Sequence, residues 1–168
     1  MDIRKSKRYL FITGAVLATV VLLVWIGVIW GHSMMPGDMS SDESGFVAQI
    51  LKPLLELLGF NDPNKRTYIV RKVAHFTEYA ILAMLARHFV RVRGLGRGVS
   101  LLVLSVLLFV TPAIDEFIQS FVPGRSCNIR DVCIDVSGGV TGHVLYQCGI
   151  WWNQMRRRRE LSSAATKN

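Results

Sequence analysis

Three groups of ionisable residues stand at the ends of long apolar segments. The first is Arg71-Lys72-Val73-Ala74-His75-Phe76-Thr77-Glu78-Tyr79, the second is Asp115-Glu116-Phe117-Ile118-Gln119, and the third is Asp131 with Asp135. Ionisable side chains in or beside a membrane span are costly unless paired, so they mark a candidate site. His75 and Glu78 have the types of a general base and its partner, and Glu116 could share that chemistry. His75 with Glu78, Glu116, Asp131 and Asp135 also offers hard and borderline donors for a metal, although spacing names none. Arg71, Lys72 and Arg125 suit an anion, Arg as a planar fork and Lys as a point charge. Tyr79, Asp115, Gln119, Asp131 and Asp135 complete the candidate ligand-binding set.

The elements that must position these residues are membrane helices. The chain has 168 residues, enough for one domain; 51% are hydrophobic, yet the net charge is +8. Charge is confined to short blocks between apolar runs, which is the pattern of an integral membrane protein. The basic blocks lie at 4–8, 87–97 and 156–159, without the interleaved aromatics and hydrogen-bonding side chains of a nucleic-acid binder. Nucleic acid is therefore not an expected partner. Cys127, Cys133 and Cys148 have no metal-site spacing and read as small buried thiols, with a Cys127–Cys133 pair possible in an oxidising compartment.

Apolar runs predict an all-α membrane protein with four spans, near 9–30, 68–90, 98–117 and 132–152. A basic tail follows at 153–168. Between the first two spans, 46–60 has an apolar stripe of Phe46, Ile50, Leu54, Leu57 and Leu58, with Lys52 and Glu56 on the other side. With Pro53 inside and about 15 residues, it suits a short interfacial or re-entrant helix better than a span. A small cap packed on the bundle fits nearly as well. Four spans put the N-terminus, the 87–97 block and the C-terminus on one side, with most of the 20 Lys and Arg. The positive-inside rule makes both termini cytoplasmic.

Under that topology the three groups converge at one depth beneath the outer face. Arg71, His75, Glu78 and Leu82 share a helical stripe, flanked by Lys72 and Tyr79. Asp131, Asp135, Gly138 and Gly142 form another, whose glycines let a neighbouring helix approach closely. Asp115 and Glu116 point about 100° apart, so one is expected to face Arg71 or Arg125 and the other the pocket or water. Arg125 either closes the pocket or pairs with Asp131 or Asp135, and Gln119 orients a neighbour. Plainer readings stand beside these. His75 and Glu78 suit a hydrogen-bonded pair locking two helices, and Arg71 and Lys72 suit snorkelling at the interface.

The combined pattern resembles the VanZ-like family of small bacterial membrane proteins. It is Arg71-Lys72-x-x-His75-Phe76-x-Glu78-Tyr79, then Asp115-Glu116-x-x-Gln119-x-Phe121-x-Pro123-Gly124-Arg125, then Asp131 and Asp135. The likeness covers about residues 10 to 150. One departure is Asp135-Val136-Ser137, where the family often has Asn and Gly after the acid; Ser137 is a candidate for that polar role. The resemblance implies the bacterial cell membrane and a link to glycopeptide resistance, as for the teicoplanin-resistance accessory protein. Three functions follow. One is binding of an anionic membrane lipid, lipid-linked envelope precursor or lipoglycopeptide antibiotic. Another is a membrane-embedded hydrolase or transferase acting on a lipid-linked substrate, with His75 as base. The third is a structural or partner subunit whose ionic network only locks the bundle.

Overall fold

Apolar segments without strand-like alternation close their own backbone hydrogen bonds, and the chain is accordingly helical. The computed structural model describes the backbone of residues 3–165 and the side chains of residue 6 and residues 8–163. Asp2 lies outside the described residues, as do the side chains of Arg4, Lys5, Lys7 and Lys167, which belong to the basic termini. Six helices follow in order: α1 (Ile3–Ser33), α2 (Gly37–Ile50), α3 (Lys52–Leu57), α4 (Pro63–Val92), α5 (Arg97–Gln119) and α6 (Ile129–Ala165).

Of the four expected spans, two are long and apolar enough to cross a membrane: Arg8–Ser33 in α1 and Arg97–Gln119 in α5. Only 17% and 28% of their most apolar stretches are buried. The core helix of a water-soluble protein would turn these side chains inward, whereas Leu17, Val24, Leu102 and Phe109 point out. Such faces are solvated by lipid. At 30 and 37 residues, α4 and α6 are about 45 and 55 Å long, but their charged residues make them less apolar than α1 and α5.

Several boundaries differ from the sequence expectation. α1 runs on through His32 and Ser33 rather than ending near Trp30. α4 starts at Pro63 because Asp62 caps it, accepting from Asn64 N at 2.9 Å, and proline fits the first helical turn. The segment between α1 and α4 is helical from Gly37 and breaks at Leu51, just before Pro53, so 46–60 is not one helix. Its apolar stripe is exposed all the same, from Leu54 at 53% to Leu57 at 82%. Lys52 and Glu56 stand 3.8 Å apart, as their spacing suggests. α6 continues to Ala165 and takes most of the basic tail into helix.

α4 is the hub, packing against α1, α2, α5 and α6. It runs antiparallel to α1: Arg93 donates to Thr19 Oγ1 at 2.7 Å, while Trp25 Nε1 donates to the Glu78 carbonyl at 3.0 Å. A short turn at 93–96 returns the chain as α5. α6 lies parallel to α4, and the seam between them is built on glycine. A side chain at Gly138 would collide with the Phe76 carbonyl, and one at Gly142 with the Ala80 carbonyl. This is the close approach expected of that stripe. An apolar core of Leu22, Ile29, Tyr79, Leu82, Ala86, Val90 and Leu104 fills the bundle below the charged groups.

Candidate functional site

The up-and-down arrangement brings the end of α1, the start of α4, the end of α5 and the start of α6 to one end of the bundle. All three charged groups meet there. Lys72 on α4 and Asp131 on α6 form an ion pair of 2.5 Å, both largely shielded. One turn deeper, His75 Nδ1 lies 3.4 Å from Asp135 Oδ1 and 4.0 Å from Asp115 Oδ2. Neither approach has hydrogen-bonding geometry. Asp115 and Asp135 are fully buried and Glu116 nearly so.

The three acids are held differently. Asp115 accepts from Ser33 Oγ and from Gln119 Nε2, the latter at 3.0 Å, so both flanking groups fix its carboxylate. Glu116 Oε2 accepts from the Asn128 backbone N–H at 2.7 Å, tying the end of α5 to the loop before α6, while its Oε1 has no partner. Neither oxygen of Asp135 has a hydrogen-bond partner. Tyr79 is 1% exposed, and its hydroxyl also lacks a partner.

Several expected pairings are replaced. Glu78 does not partner His75; it turns toward α1, where His32 Nδ1 meets its Oε1 at 2.7 Å. Three residues apart on one stripe, His75 and Glu78 still splay around the helix far enough to face different neighbours. Neither Asp115 nor Glu116 pairs with Arg71 or Arg125, because Ser33, Gln119 and the Asn128 amide reach them first. Arg125 pairs with neither Asp131 nor Asp135. It donates to the carbonyls of Met35 at 3.2 Å and His32 at 3.0 Å. Ser137 is exposed and donates to the Ile134 carbonyl, away from the site. All three cysteines are free, but they are exposed rather than buried.

The arginines line the way in. Two cavities, of about 200 and 170 Å³, lie on either side of His75, and Arg71, His75 and Arg125 border both. Glu78 and His32 line the first, and Lys72, Gln119 and Asp131 the second. Arg71 donates to Ser41 Oγ on α2 at 2.5 Å, while its Nε is buried without a partner. Burial, and after it the like charge of Arg71, pushes the Arg125 guanidinium below its ordinary value. The loop carrying Arg125 is pinned where Gly37 N donates to the Pro123 carbonyl at 3.0 Å. Gly124 there has φ +74°, which favours glycine, and any side chain on Gly37 would strike the Gly124 carbonyl.

His32, Ser33, Ser41 and Asn128 are the residues that sequence reasoning missed. The polar run Gly31-His32-Ser33 after an apolar span was the available signal, had the span been extended by one turn. A sequence model described as VanZ/LLP1 matches residues 18–152. No curated protein and no solved structure matches the chain.

Proposed function

The chain belongs to the VanZ/LLP1 family, and from that premise we propose that it is a multi-pass cell-envelope protein whose polar pocket binds an anionic, lipid-linked ligand. The observation carrying this reading is the pair of arginines at the cavities. Arg71 and Arg125 lie close enough to repel, and neither has a carboxylate partner within ion-pair distance among the described residues. Two partly buried guanidiniums with no carboxylate in ion-pair contact suit a phosphate or carboxylate from outside the chain. A lipid supplies such a group at the membrane surface. The exposed apolar stripe of α2 and α3 fits a surface lying against lipid beside the same pocket.

Four spans with both termini cytoplasmic is the topology we propose with it. α4 and α6 are long enough, and the second basic block sits with the C-terminal one: Arg91, Arg156 and Arg157 border a common cavity. The pocket then opens on the extracytoplasmic side, where envelope precursors and lipoglycopeptide antibiotics are met. Family resemblance supports a setting in antibiotic response.

Retention of lipid tests the binding reading. The purified full chain is placed in nanodiscs of mixed phosphatidylglycerol and phosphatidylcholine, and co-purifying lipid is measured by mass spectrometry. Preferential retention of the anionic lipid, falling about tenfold in Arg71→Gln (~1.4 kcal/mol), is expected. Equal retention of both lipids, or an unaffected Arg71→Gln protein, overturns it. A second reading, a hydrolase or transferase acting on a lipid-linked substrate, is favoured by His75 standing in the cavity wall against two buried acids. In that case His75→Gln keeps lipid retention and loses the resistance phenotype.

A further inference from the structure

We propose that His75, Asp115 and Asp135 form a binding site for one divalent cation, with borderline Zn²⁺ the best match and the harder Mn²⁺ next. Each residue offers a donor atom, and the three atoms lie within 4.8 Å of one another. Metal–ligand distances of about 2.0–2.2 Å imply donor separations of roughly 3–4 Å around one ion. The 3.4 and 4.0 Å separations from His75 Nδ1 fall in that range and exceed a hydrogen bond.

The second, independent observation is Asp135. It is fully buried, yet neither carboxylate oxygen has a hydrogen-bond partner, and His75 Nδ1 beside it has none either. A buried carboxylate in that condition is a costly arrangement. No neighbouring cation bonds it directly: Lys72 pairs with Asp131, and Arg125 donates to backbone carbonyls. Two buried acids against one imidazole leave negative charge that a divalent ion neutralises.

The surroundings suit a ligand set as well. Asp115 is oriented by Ser33 and Gln119, as metal-ligating carboxylates are by their neighbours. The donors come from three different helices, so the packing of the bundle fixes their geometry. His75 borders both cavities, so an ion held there has a route to the pocket from the imidazole side. One imidazole and two carboxylates are donors that Zn²⁺ and Mn²⁺ accept. Of the other acids, Glu78 is engaged with His32, and Glu116 is held through Oε2 alone by the Asn128 amide.

The site extends the anion-binding reading without resting on it, and the two fail separately. The full chain, purified in detergent and stripped with chelator, is dialysed against Zn²⁺ or Mn²⁺, and metal per chain is measured by inductively coupled plasma mass spectrometry. Close to one ion per chain is expected, with Asp135→Asn and Asp115→Asn each binding at least tenfold more weakly. Arg71→Gln should keep its metal, even where it loses lipid. A wild-type protein that takes up neither ion stoichiometrically overturns the proposal, as do both Asn variants binding like the wild type. If the Asn variants fail to accumulate, Co²⁺ decides on the wild type alone. A visible absorption band that Zn²⁺ abolishes supports the site, and its absence overturns it.

Discussion

The two ends of the helical bundle are both rich in charge, and they treat it in opposite ways. At one end Arg91, Arg156, Arg157 and Glu160 border a cavity of about 550 Å³. The pair Arg156–Glu160 there, 3.3 Å apart, leaves both side chains largely in solvent. At the other end Asp115, Glu116 and Asp135 are buried, and the ionic groups come from different helices. Desolvation separates them: charge in water needs no explanation, whereas charge removed from water must be matched by partners or by a ligand.

Four substitutions put that contrast under strain, beginning with the largest effect. Gly142→Leu drives a side chain into the Ala80 carbonyl and parts α4 from α6. It should lower stability by about 3 kcal/mol or more, seen as loss of folded protein in detergent by size-exclusion chromatography. Lys72→Met leaves Asp131 shielded and unpaired. A loss of about 2 kcal/mol is expected, largely restored in Lys72→Met/Asp131→Asn, with thermal unfolding of the four proteins giving the coupling. Arg125→Ala removes two bonds to backbone carbonyls. About 1 kcal/mol should go, with faster proteolysis around 120–128 as the readout. Arg156→Ala, at the solvated end, should change stability by less than about 0.5 kcal/mol. If its unfolding midpoint falls as far as that of Lys72→Met, the contrast between the ends is wrong.

Much of the site's position was legible in the chain, because helix geometry converts spacing into depth. Residues 71–79, 115–119 and 131–135 sit at matching distances from the ends of apolar runs, and they do meet. Gly138 and Gly142 were readable too, since four-residue spacing of glycines has a direct meaning for helix approach. Partner choice was not readable. Which way Glu78 leans depends on α1 lying alongside, and His32 came from a turn placed outside the first span. The helices between α1 and α4 were half visible: their apolar stripe shows, but the polar run 40–44 has no periodicity to announce that α2 starts at Gly37.

The cluster of His75, Asp115 and Asp135 has a consequence for how the protein is made. Its members are synthesised in the order α4, α5, α6, so it cannot close until the last helix has entered the bundle. While α5 is being inserted, Asp115 can already meet Ser33 and Gln119, but Asp135 has not yet arrived. A chain that stops before α6 therefore carries His75 and Asp115 without the second acid of the cluster. The site closes only when α6 packs against α4 and α5.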